Sequence, residues 1–190
     1  MGYSLEFHSI SLEELGNAFT RLSVDGFESL GVHPVDEVLQ KLWLHCEYEF
    51  NQFVRKDLVV AESQVAVLSP DAAIFVSELI RLREDQIGRL EHASASGNLF
   101  RERFMKNRVT SFYKDQTIGE RLLWRPMFGI RSGDIPFWGW LSRNEIWELI
   151  SDFSPGGDDL EYDIAVWADS LQETLEKARE RNLDLVTLYI

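Results

Sequence analysis

The sequence predicts an α+β chain: a single compact domain over residues 1–190, with a small sheet that takes strands from both ends and several helices packed on it. Three observations carry this. Tyr3, Leu5 and Phe7 alternate with Ser4, Glu6 and His8, the period of a strand with one wet face. Leu183, Leu185, Val186, Leu188, Tyr189 and Ile190 form a nearly unbroken apolar run, as expected of a buried strand. Between them, apolar residues recur at spacings of three and four behind helix-start signals.

The elements follow in order. Ser11 precedes Leu12-Glu13-Glu14, a hydroxyl cap with acids in the first turn, and predicts a helix over 12–20 with Leu15, Ala18 and Phe19 inward. Gly26 and Gly31 punctuate a loop. Pro34 then opens a helix whose inner stripe is Val35, Val38, Leu39, Leu42, Cys46, Phe50 and Phe53. Residues 58–68 are β-branched enough for a short strand, with a loop as the alternative. Ser69-Pro70-Asp71 starts another helix, with Ala72, Phe75, Val76, Leu79 and Leu82 inward and room to continue toward Leu90. His92 to Asn98 is small and polar, a loop. Residues 99–131 interleave eight bases with aromatics, and Gly129 to Pro136 reads as a turn-rich connection. Ser142 to Glu145 is a capping box, Ser154 to Asp159 breaks the helix after it, and Ser170 to Glu173 is a second capping box leading to Asn182.

Length and composition fit a chain that packs a core: 190 residues, 45% hydrophobic and 12% aromatic. One cysteine, Cys46, excludes an internal disulfide and favours a reducing compartment. The first residues carry neither a basic leader nor a long apolar run, and no stretch reaches the ~18–20 continuous apolar residues of a membrane span. The expected location is the cytoplasm. The net charge of −13 repels phosphate, which makes nucleic acid an improbable partner; it fits a basic protein partner, with solubility alone as the commoner reason for such a charge.

No motif announces chemistry. His45, Cys46, Glu47 and Glu49 are metal-ligand types, but no second Cys or His pair stands at ligand spacing, and a core cysteine beside a surface histidine accounts for them. The acidic setting of Cys46 also disfavours a reactive thiolate. Asp158, Asp159, Glu161 and Asp163 lack the order of a calcium loop and read as a solvated turn. Gly129 and Gly133 lack the companions of a phosphate loop, and no cofactor motif is present.

The most unusual stretch is 124–140, which holds three of the six tryptophans among two arginines. Trp and Arg anchor interfaces and stack on ligands, so Trp124, Arg125, Arg131, Trp138 and Trp140 are the candidate binding residues. The competing expectation is that Trp138 and Trp140 lie on one side of a strand and fill the core.

Three places resemble a family: Met1-Gly2 with Ser11-Leu-Glu-Glu-Leu15, Trp138 to Ile146, and Leu171 to Ile190. Together they are similar to the uncharacterised bacterial YfbM-like proteins, a family of unknown function. The resemblance implies a compact bacterial α+β domain and supplies no catalytic residues. Two functions are expected from the sequence. The first is a protein-interaction module binding a basic partner in the manner of bacterial immunity proteins. The alternative is an enzyme with a carboxylate- and Arg-lined pocket.

Overall fold

The computed structural model describes residues 4–31, 37–83, 86–91, 109–114, 117–154 and 161–190. Among the described residues the strands are β1 (Ser4–Ile10), β2 (Ala66–Leu68), β3 (Gln86–Glu91), β4 (Ile130–Ser132), β5 (Phe137–Leu141) and β6 (Asp184–Tyr189). The helices are α1 (Leu12–Asp25), α2 (Glu37–Phe53), α3 (Pro70–Arg83), α4 (Ile118–Trp124), α5 (Arg143–Asp152) and α6 (Tyr162–Arg181).

Four strands form an antiparallel sheet in the order β3-β1-β6-β5, so the strands nearest the two chain ends are its central pair. The short β2 and β4 pair in parallel to make a second, two-stranded sheet. In the large sheet, Leu5 faces Tyr189 and Leu141 faces Leu185, and with Phe7 and Phe137 they present one apolar face. That face packs on α4, α5 and α6 through Ile118, Leu122, Ile146, Leu149, Leu171 and Leu175. The opposite face carries Ile10, Val186, Leu188, Trp138 and Trp140 and packs on α1, α2 and α3 through Leu15, Phe19, Trp43, Phe50, Phe75 and Leu79. Helices on both faces explain why β1, β5 and β6 are buried at every position.

One side chain joins the two layers. Asp184, at the start of β6, accepts the Leu12 N–H at 3.0 Å through Oδ2 and the Arg143 N–H at 2.9 Å through Oδ1. It thereby satisfies otherwise orphaned donors at the first turns of α1 and α5, which belong to opposite layers. Two hydroxyl caps read from sequence are in place: Ser11 Oγ accepts the Glu14 N–H, and Ser142 with Glu145 forms a full capping box.

Several expectations need correction. β1 is not half-wet: Ser4, Glu6 and His8 are 3%, 5% and 2% exposed, because α3 covers their side and returns Arg81 to neutralise Glu6. The first helix runs to Asp25 rather than residue 20, adding Leu22 to its buried stripe. The helix from Pro70 stops at Arg83, and residues 86–91 form an edge strand instead of its continuation. There Ile87 and Leu90 reach the core while Gly88 leaves space for Thr174 of α6. In 58–68 only Ala66–Leu68 is strand, and β4 lies inside the stretch read as turn. Ser170 is not a cap but sits inside α6, where its carbonyl accepts the Thr174 hydroxyl at 2.8 Å. The Ser-x-x-Glu spacing also suits a helix interior, so the pattern alone misplaced that start.

In α2 the buried stripe is Leu39, Trp43, Cys46 and Phe50, whereas Val38 lies at the surface. In α3, Leu82 is exposed rather than inward. Tyr3, Pro34, Val35, the 92–98 loop, the basic residues 101–108 and Asp158 and Asp159 lie outside the described residues.

Candidate functional site

The segment from Trp124 to Trp140 starts at the end of α4 and finishes in β5. Its pivot is a tight turn, Met127 to Ile130, closed by backbone hydrogen bonds in both directions between those two residues. The central residues Phe128 and Gly129 both have positive φ, 52° and 77°. Glycine adopts this freely, but a bulky aromatic does so only when its surroundings hold it there. They do. The Phe128 N–H donates to the Leu58 carbonyl at 2.9 Å, its own carbonyl accepts the Arg55 N–H at 2.7 Å, and its ring stands edge-on to Phe19 at 5.3 Å.

The turn places Arg125 beside β5 and α5. Its guanidinium lies 3.5 Å from the centroid of the Trp140 ring, a cation–π stack, and its Nη1 donates to both Glu145 carboxylate oxygens at 2.9 Å. Arg121 Nη1 adds a third bond to Glu145 Oε1 at 3.0 Å. Ser142 contributes its N–H at 2.8 Å and its hydroxyl at 2.9 Å, both to Glu145 Oε2. Burial alone would push the Glu145 carboxyl up, yet the Ser142 N–H and the Arg125 bonds and charge hold it below its usual range. The Trp140 indole N–H donates to the Pro126 carbonyl at 2.9 Å, closing the network.

The five residues singled out from the sequence therefore divide. Arg125 and Trp140 belong to one ion-paired, stacked cluster. Trp138 and Trp140 are 2% and 3% exposed, so their rings lie in the core. Arg131 stands apart, donating to Glu62 Oε1 at 2.9 Å on the surface. Trp124 is edge-on to Phe137 at 5.8 Å and borders two clefts. The larger, about 470 Å³, is walled by Thr117, Glu120, Arg121, Trp124, Arg125 and Pro126. The smaller, about 320 Å³, lies between α4, the start of β5 and the β2–β4 pair. Sequence reasoning missed Arg121 and Glu145 as partners of Arg125; the capping-box glutamate was the available signal, read only as a helix start.

A second charged cluster was also missed. Glu6 takes two bonds from Arg81, Nε at 3.0 Å and Nη2 at 3.2 Å, with His8 Nε2 at 3.4 Å and Arg89 at 3.9 Å. Burial would raise this carboxyl, and the Arg81 bonds and charge, aided by His8, bring it below the ordinary value. Both clusters hold a carboxylate firmly ionised, which suits structure better than proton shuttling at neutral pH.

Cys46 is fully buried, and burial first, then the Glu49 charge, push its thiol up to about 12, so it carries no thiolate at neutral pH. His45 points outward, 3.9 Å from Asp71. Among the described residues no group of three or more His, Cys, Asp or Glu side chains could hold a metal ion. No helix among them is long and apolar enough to cross a membrane.

The surface carries the remaining signal. The outward side of α6 exposes Tyr162, Val166, Asp169, Glu173 and Glu180, with Lys177 paired to Glu173 at 2.7 Å. Tyr162 is 81% and Val166 41% exposed. On the neighbouring α5, Trp147 is half exposed with the Arg179 guanidinium 5.1 Å from its ring.

The class these observations define is an α+β chain whose antiparallel sheet is enclosed by two helical layers, with its Trp/Arg segment largely built into the fold. No protein-family model matches the chain, and no curated protein or solved structure matches it either.

Proposed function

We propose that this chain is a cytoplasmic protein-interaction module that binds a basic partner, in the manner of bacterial immunity proteins. The observation that carries the reading is the outward side of α6, where Asp169, Glu173 and Glu180 follow the exposed Tyr162 and Val166. The net charge of −13 acts in the same direction. An exposed ion pair contributes only about 0–1 kcal/mol, so the acids supply steering and salt dependence. The apolar end of the helix supplies the desolvated contact on which affinity rests. The rings of Trp138 and Trp140 do not serve as anchors in this reading, since they are buried. Kinship with the bacterial YfbM-like proteins remains part of the proposal and rests on the short motifs at the two ends.

The test is affinity capture of the tagged protein from host lysate at about 0.05 M and about 0.5 M salt, where screening lengths differ about threefold. A stoichiometric basic partner present at low salt and lost at high salt is the expected result. Binding indifferent to salt and unaffected by Asp169→Lys with Glu173→Lys would sink the reading.

A second reading, an enzyme with a carboxylate- and Arg-lined pocket, is favoured by the 470 Å³ cleft beside Arg121 and Arg125. In it the arginines would bind an anionic substrate group while Glu145 holds them in place. Turnover surviving Arg125→Gln at full rate would remove that reading.

A further inference from the structure

We propose that the smaller cleft is a binding site for a small planar anion, an aromatic carboxylate of one or two rings. This inference is independent of the interaction reading and concerns a different part of the surface. At about 320 Å³ the cleft lies at the low end of the ~300–1,000 Å³ range of small-molecule sites. Trp124 and Phe137, edge-on to each other, give it an aromatic wall, and Val67 and Leu123 add aliphatic surface. Flat apolar ligands gain most from such a lining, through offset or edge-to-face ring contacts.

Arg131 is the one charged residue among the described residues lining the cleft. In a chain of net charge −13, a guanidinium beside aromatic surface is a specific local feature. Its present partner, Glu62, is 73% exposed, and so open a pair holds the guanidinium only weakly. Turning from Glu62 to a ligand carboxylate therefore costs Arg131 little, and the planar fork of the guanidinium matches a carboxylate. Trp138 also borders the cleft, although its ring is buried in the core. Arg131 therefore selects a ligand that brings acceptor oxygens.

The experiment is a titration of the full chain with benzoate, 2-naphthoate, their neutral amides and acetate, read by the indole N–H resonances of Trp138 and Trp124. Trp138→Phe and Trp124→Phe assign the two peaks. The expected result is a saturable shift of these peaks by at least one of the aromatic carboxylates, with acetate inert. The matching amide and the Arg131→Gln variant should each bind about tenfold more weakly, the effect of losing one charge-assisted bond. Val67→Trp, which fills the cleft from an exposed strand position, should abolish the shift while the thermal melt is retained. The proposal is overturned if neither carboxylate gives a saturable shift. It is equally overturned if carboxylate and amide bind alike and Arg131→Gln changes nothing.

Discussion

The two faces of the large sheet are both buried, but different forces hold their covers. On the α4–α6 side the surface is mostly hydrocarbon and the fit is set by close approach. The Gly139 position in β5 lies directly under the backbone of Arg121 and Leu122, and the Thr187 hydroxyl donates to the Leu122 carbonyl. On the α1–α3 side β1 presents Glu6 and His8 to the covering layer, and α3 answers with Arg81. One face is specified by shape, the other partly by charge balance. A sheet enclosed on both sides thus has two distinct ways to fail, overlap on one and an unpaired charge on the other.

The largest effect should come from breaking the shape side. A methyl at position 139 would overlap the Arg121 and Leu122 backbone, which cannot swing aside as a side chain can. Gly139→Ala should therefore destabilise by about 3 kcal/mol, at the upper end of overpacking costs, seen as a fall in the urea midpoint. A loss under about 1 kcal/mol would mean that α4 is a movable cover.

On the charge side, Glu6→Ala should cost about 2–4 kcal/mol, because it strands Arg81 in a half-buried setting. The same pair predicts a pH response. The folded-state pKa of Glu6 and that of Glu145 lie below the ordinary 4.5, so each contributes stability that is complete above that value. The contribution is lost as pH falls through the folded pKa, where the unfolded chain binds the extra protons. Urea titrations from pH 7 down to about 3 should show stability dropping below about pH 4.5. Glu6→Gln should flatten part of that limb, and an unchanged acid limb would remove the charge-balance account.

Asp184 tests what couples the faces. Asp184→Ala removes the acceptor for one amide in each layer and should cost about 1–3 kcal/mol. Hydrogen exchange should then accelerate at both Leu12 and Arg143, whereas faster exchange at only one would show that the layers are independent. The smallest effect is expected outside both cores: Trp147→Ala, which removes a half-exposed ring beside Arg179, should change stability by less than about 1 kcal/mol.

Much of this architecture is legible in the residues themselves. The strand at 184–189, the caps at Ser11 and Ser142 and the Pro70 start all follow from local chemistry that tertiary contacts only reinforce. What escapes is decided at a distance. Glu6 looks like a surface residue until Arg81, 75 positions away, arrives to neutralise it. β3 is hidden because Gln86–Glu91 carries helix-compatible residues and becomes a strand by pairing with β1. In the candidate site, the sequence draws attention to Trp138, Trp140 and Arg125, but only packing reveals that two of these rings are interior and that the arginine is tied to Glu145. The 320 Å³ cleft is likewise a meeting of four separate elements, and no local pattern encodes it.

The pairing of β1 with β6 also fixes an order of events during synthesis. Leu12 must wait for Asp184, 172 positions later, to receive its capping carboxylate, and β1 must wait equally long for its central neighbour. At about 5–20 residues per second, the ribosome leaves that first strand without β6 for roughly nine to thirty-five seconds. Through that interval Leu5, Phe7 and Ile10 have lost nothing of their appetite for apolar surface. The nascent chain therefore depends on β3 and α3, made halfway along, or on a chaperone, to keep its opening strand from finding the wrong companion.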